Sequence, residues 1–167
     1  MTEVRPSDGV AVEADTTDPG PGWFREHGIV LLVVALGGGI GAEARYGVAR
    51  LLPTRPGEFP WGTFATNVAG CFAIGVLMVL ITEAWTGHRL VRPFLGVGFL
   101  GGFTTFSTYA VETRNLLAPG TVYVAFGYLA GTLIAAMLAV LAAVTLTRKV
   151  LLRKQIPSKD FDEEEQV

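Results

Sequence analysis

The chain has 167 residues, half of them hydrophobic, with 17% charged, 21 glycines and a mean hydropathy of +0.45. A soluble domain carries about 25% charged residues, so this composition argues against an ordinary water-soluble globule and for a membrane protein. The net charge of −2 is a sum of opposites: residues 1–22 and 155–167 each total −4, and residues 23–154 total +6.

Residues 1–22 are rich in Pro, Gly, Asp and Thr and lack a basic stretch followed by an apolar run. They read as a disordered acidic tail and not as a signal peptide, so the mature and encoded proteins are expected to start alike. Charge-free stretches at 28–42, 59–82, 93–111 and 115–147 then mark four apolar segments within a single domain, 23–154. A helix needs about 20 mostly apolar residues to cross a bilayer, which predicts spans at about 29–52, 62–85, 92–117 and 120–147. The first begins as IVLLVVAL and turns into GGGIGAEARYGVARLL, with Glu43 and Arg45 toward its far end. Pro53, Pro56 and Pro60 separate it from the second, Pro93 opens the third, and Pro119-Gly120 precedes the fourth. No proline falls inside a span, so any break in a helix must come from glycine. Residues 155–167 read as a second disordered acidic tail.

Four spans place both termini on one side. Eight Lys and Arg near the membrane lie on that side (Arg25, Arg89, Arg92, Arg148, Lys149, Arg153, Lys154, Lys159) and four on the other (Arg45, Arg50, Arg55, Arg114), which favours cytoplasmic termini. The basic residues are scattered between apolar segments, so they do not form a nucleic-acid-binding patch. The single cysteine, Cys71, excludes an internal disulfide framework and a cysteine-based zinc site. An enzyme site needs a nucleophile with a base, or a metal cluster. The spans hold no histidine and no carboxylate pair, so no catalytic residue is assigned.

Polar groups inside a span are costly unless paired or facing water, which makes each cluster a site candidate. The third span has Gly96, Gly98, Gly101 and Gly102 followed by Thr104, Thr105, Phe106, Ser107, Thr108 and Tyr109. Two adjacent glycines weaken a helix by about 1 kcal/mol each relative to alanine, and the hydroxyls that follow can bond freed backbone groups. This predicts a helix broken at Gly-Gly, with released carbonyls that suit a small cation. Gly96 and Gly98 are equally compatible with close helix packing. On the second span Thr63, Asn67, Gly70 and Ile74 share a face, and on the fourth Tyr128, Thr132 and Ala136 do. Gly37 with Gly41, and Gly127 with Gly131, read as small-residue packing pairs. Glu43 and Arg45 are two apart and poorly placed to pair; Arg45 snorkels to the interface or, on the sharper reading, lends positive charge to a pore entrance.

Three blocks, GGGIGAEARY (37–46), GTFATNVAG (62–70) and GFLGGFTTFSTYAVET (98–113), resemble the CrcB/Fluc family of fluoride channels. The resemblance covers about 29–147. It implies an all-α integral membrane protein of the cell membrane, assembled as an antiparallel dimer with two fluoride pores and a structural, untransported sodium ion held by the backbone carbonyls of Gly101 and Thr104. It further implies that Asn67 and Phe106 are pore residues, with Ser107, Thr108, Tyr128 and Thr132 forming a polar track. Tyr109 stands where the family usually has a second phenylalanine, and its hydroxyl adds a donor or narrows the pore. Ala136 replaces a frequent small polar residue, and Glu43 replaces an apolar one. The uneven basic charge leaves open a homodimer or a pairing with an oppositely oriented relative. The rival reading is a small four-helix proton-coupled exporter of cationic compounds. It would use Glu43, about 21 Å along the first helix from Ile29 at 1.5 Å per residue, past the midpoint of the bilayer core.

Overall fold

The computed structural model describes residues 21–84 and 89–154, and all regular elements among them are helical. Both predicted tails lie outside the described residues, except that Pro21 and Gly22 already belong to the first helix. Helix α1 runs Pro21–Leu51 and α2 Trp61–Val79, the latter continuing as a π-helical turn, Leu80–Ala84. A second π-helical stretch, Pro93–Phe99, leads into the short α3, Leu100–Phe103. After a non-helical gap at 104–106 come α4, Ser107–Leu116, and α5, Val122–Lys154. Four segments are long and apolar enough to span a bilayer: His27–Leu51, Trp61–Glu83, Pro93–Leu116 and Val122–Leu152. They match the predicted spans to within a few residues, apart from a longer fourth helix.

Two helix seams hold these segments together. In one, α1 lies along the third span so closely that the backbones touch. A Cβ on Gly37 would come within 2.5 Å of the Phe94 carbonyl, and one on Gly98 within 2.8 Å of the Val34 carbonyl. A Cβ on Gly41 or Gly102 would collide with the Phe99 or the Gly38 carbonyl, respectively. Small residues allow this approach, and in lipid it is dispersion between close-packed backbones that holds helices together. In the other seam α2 packs against α5, where a Cβ on Gly75 would stand 2.8 Å from that of Ala143. At the loop end of this seam the buried Leu116, Ala125 and Tyr128 are packed by Phe59, Phe64, Tyr109 and Val124. Phe59 meets Tyr128 edge-on at 5.2 Å and 82°, a favoured aromatic geometry. At the opposite end Arg148 bonds Glu83 at 2.6 Å, tying α5 to the last turn of the second span.

The large apolar side chains that face away from the seams, among them Leu32, Leu36, Leu133 and Leu141, are more than half exposed. In water that would be a liability; in a bilayer it is the surface that acyl chains solvate. The predicted small-residue face of Gly127 and Gly131 meets no partner among the described residues, since a Cβ at either would have nothing within 4 Å.

The break of the third span differs from the expectation. Gly101 and Gly102 both remain helical, and the chain leaves the helix only at Thr104, whose φ of −80° and ψ of 157° are extended. The glycines serve a different end here: Gly102 is small because the Gly38 backbone lies against it.

Substituting a seam glycine should therefore destabilise the protein. Gly41→Ala is expected to cost about 1–3 kcal/mol, the usual range for overpacking, because its methyl group meets backbone that cannot step aside. Gly28→Ala, which meets nothing within 4 Å, should leave stability unchanged or slightly raised. Thermal unfolding of the two variants in detergent would show the contrast.

Candidate functional site

The break at 104–106 has a specific cause in α2. The Asn67 side-chain amide binds the Thr105 peptide group on both sides: Nδ2 donates to the Thr105 carbonyl at 3.0 Å, and Oδ1 accepts from the Thr105 N–H at 2.9 Å. That N–H would otherwise close on the Gly101 carbonyl in the helical i to i+4 pattern. The Thr108 N–H, the corresponding partner of the Thr104 carbonyl, goes instead to the Thr105 hydroxyl at 3.2 Å and so caps the start of α4. The two carbonyls predicted to hold sodium, Gly101 and Thr104, are thus those whose helical donors have been drawn off by side chains. Carbonyls released in this way at membrane depth are the hard oxygen donors that a small cation prefers. The donor set that the resemblance implies is chemically suited to a small cation on this observation.

Beside the break lies a groove of about 370 Å3 between α2, the third span and α5. Its walls are Asn67, Gly70, Cys71, Ile74, Gly96, Leu100, Gly101, Thr104, Thr105, Phe106, Tyr109, Thr132, Leu133 and Ala136. No charged side chain lines it. The Thr132 hydroxyl is buried there, with the residue 5% exposed, and among the described residues it is the one buried side-chain polar atom without a hydrogen-bond partner. Threonines in helices usually donate to the carbonyl four residues back, as Thr66, Thr113, Thr145 and Thr147 do here. Thr132 does not, although burying a hydroxyl without a partner costs about 1–3 kcal/mol. Phe106, 79% exposed, stands at the rim, its ring 5.9 Å from that of Tyr109 and tilted by 51°.

The predicted site residues separate into two groups. Asn67, Phe106, Tyr109 and Thr132 come together around the groove, with Gly101 and Thr104 on its wall. Ser107 and Thr108 do not line it; both hydroxyls bond the Thr105 hydroxyl, at 3.3 and 3.1 Å. Tyr128 is fully buried behind the groove, edge-on to Tyr109 at 5.1 Å. The additional hydroxyl of Tyr109 is not a free donor, because its one proton goes to the Leu129 carbonyl at 2.7 Å. Arg45 is half-buried, and its Nε donates to the Gly102 carbonyl at 3.1 Å. Glu43 is exposed on α1 and lies outside the groove.

One residue escaped the sequence reading. Glu112 on α4 accepts from the Thr63 hydroxyl at 3.0 Å and from the Tyr128 hydroxyl at 2.7 Å. It also lines a loop-side cavity of about 340 Å3 together with Thr54, Arg55, Glu58 and Asn115. A signal was present, since Glu112 is the sole carboxylate within the predicted span 92–117 and lies three residues after Tyr109 on the same face. Its partners on α2 and α5 are not local in sequence.

A family model described as CrcB-like protein, Camphor Resistance (CrcB), matches residues 32–144. The "Fluoride-specific ion channel FluC 2" of Nocardia farcinica is 60% identical over 119 residues, which are 71% of this chain and 85% of the relative. "Fluoride-specific ion channel FluC 1" of Streptomyces coelicolor is 54% identical over 134 residues, 80% of this chain and 86% of the relative. "Fluoride-specific ion channel FluC 2" of Streptomyces avermitilis is 59% identical over 126 residues, 75% of this chain and 80% of the relative. The match runs from the aliphatic start of the first span into the fourth, across the glycine seam, the Asn67 clasp and the groove, and the chain belongs to the CrcB-like family of multi-pass membrane proteins.

Proposed function

We propose that this chain is a passive, fluoride-selective channel that lets fluoride leave the cytoplasm and so limits its toxicity. The reading draws its substrate from the relatives named as fluoride-specific channels, and its chemistry from one observation. That observation is the Thr132 hydroxyl, buried without a partner on the wall of the groove. A small, strongly hydrated anion leaves water only where fixed donors replace its hydration shell. Thr132 offers one such donor. Asn67 offers another, because its Nδ2 carries two protons and the Thr105 carbonyl takes one of them. The Phe106 ring adds a weakly positive edge at the rim, a contact mild enough not to trap the ion. Tyr109 contributes in the same way, by its ring and not by its hydroxyl, which is occupied on α5.

Sodium is the structural cation in this reading, held by the carbonyls of Gly101 and Thr104. Bound there, it would neutralise carbonyl dipoles that otherwise lack donors. Gly101 is exposed on the outer side of the third span, as is Phe106. A second protomer in antiparallel orientation would cover both and complete the ion's oxygen shell, with the bilayer solvating the remaining apolar surface. The basic charge favours cytoplasmic termini, so the partner is either another copy in the less favoured orientation or an oppositely oriented relative. The exporter reading has its carboxylate, Glu43, outside the groove.

Fluoride efflux from liposomes carrying the purified protein, repeated with chloride, tests the function. Fluoride is expected to leave and chloride to stay; equal flux of the two, or none of either, would sink the proposal. Phe106→Ile should lower fluoride flux by about tenfold or more by removing the ring edge. Glu43→Gln should leave the flux unchanged, whereas an exporter would lose its activity. Asn67→Ala orphans both polar groups of the Thr105 peptide, at about 1–3 kcal/mol each, and should lower both the melting temperature and the flux.

A further inference from the structure

Arg45 lies one helical turn after Gly41 and two after Gly37, on the face of α1 where the backbone of the third span comes closest. Its Nε is 3.1 Å from the Gly102 carbonyl. A continuing helix would bond that carbonyl to the N–H of Phe106, which lies in the non-helical gap. Of the carbonyls around the break, the one on Thr105 is taken by Asn67 and the one on Gly102 by Arg45, while those on Gly101 and Thr104 have lost their helical donors to side chains. Arg45 forms no ion pair among the described residues and lines neither the groove nor the loop-side cavity. Its charge is therefore not presented to either space.

We propose that Arg45 is a positioning residue: by capping the Gly102 carbonyl through Nε it stabilises the break from the α1 side as Asn67 does from α2, and it keeps the Gly102 carbonyl from standing open beside those of Gly101 and Thr104. This rests on the channel reading for its flux measurement but not for its geometry. The alternative is a role for the positive charge itself at a pore entrance.

Three substitutions separate the two. Glutamine places its amide nitrogen the same number of bonds from the backbone as Arg Nε, so Arg45→Gln keeps the donor and loses the charge. Arg45→Lys keeps the charge but carries its donor one bond further, and Arg45→Met has neither. Flux is measured as fluoride efflux per folded channel in liposomes, at low and high ionic strength, alongside thermal unfolding in detergent. Capping predicts that Arg45→Gln stays within about threefold of wild type, that the Lys and Met variants fall by about tenfold or more, and that melting temperatures follow the same order. It also predicts the same dependence on ionic strength in the Gln variant as in wild type, since the lost charge lines neither the groove nor the loop-side cavity. A Lys variant equal to or better than the Gln variant overturns the proposal, as does a Met variant that conducts like wild type. If the wild-type protein passes no fluoride, the channel reading fails, and the order of melting temperatures alone decides whether Arg45 caps Gly102.

Discussion

A peptide chain at membrane depth cannot leave its N–H and C=O groups without partners, because no water is there to take them. The whole arrangement around the third span follows from how that demand is met at Thr105. Asn67 supplies both halves of the missing pairing, accepting from the Thr105 N–H and donating to its carbonyl. One side chain on a neighbouring helix thereby replaces two helical hydrogen bonds and makes the break affordable. The Thr105 hydroxyl then starts the next helix by bonding the Thr108 N–H, and Thr104 adds a bond from its own hydroxyl back to the Leu100 carbonyl at 3.0 Å. The gap is held by directed contacts and is not a loosened stretch of helix.

The glycines divide into two roles that composition alone cannot separate. Gly37, Gly41, Gly98 and Gly102 form a seam in which any side chain would meet a neighbouring backbone. This seam sets the depth and rotation of α1 against the third span, and with it the position of Arg45 beside Gly102. Gly101 faces away, with nothing within 4 Å of a Cβ built there. The adjacent pair thus has one member that packs inside the protomer and one that keeps an outer surface flat. The first function needs smallness for close approach; the second leaves a carbonyl accessible. Neither requires the helix to unwind at the glycines themselves.

Packing also redistributes the hydroxyls. Ser107 and Thr108 stand beside the groove residues in sequence, yet both are bonded to Thr105 and do not reach its wall. Tyr109 does reach it, but its hydroxyl is drawn to the Leu129 carbonyl across the α4 and α5 contact. Among the described residues Thr132 alone keeps a buried hydroxyl uncommitted. Behind it, Glu112 gathers Thr63 and Tyr128 from two other helices, so that a carboxylate within a membrane span is surrounded by donors. These assignments depend on which side chain wins a given acceptor, which is a matter of distances between helices.

The sequence by itself determined the membrane class, the four spans to within a few residues, and Asn67 and Thr132 as polar residues on the faces of their helices. The charge-free lengths, the proline-bounded turns and the helical spacing of Asn67 and of Thr132 are all local properties that need no knowledge of neighbours. The spacing of Gly37 and Gly41 marked a packing face for the same reason. Only the tertiary structure decided where the third helix opens, what Arg45 binds, which hydroxyls remain available and that Glu112 has partners at all. Each of those outcomes is a competition for hydrogen bonds between groups 16 to 57 residues apart in the chain. Their result is set by how closely the glycine seams let the helices approach, and the spacing along any one helix does not contain that distance.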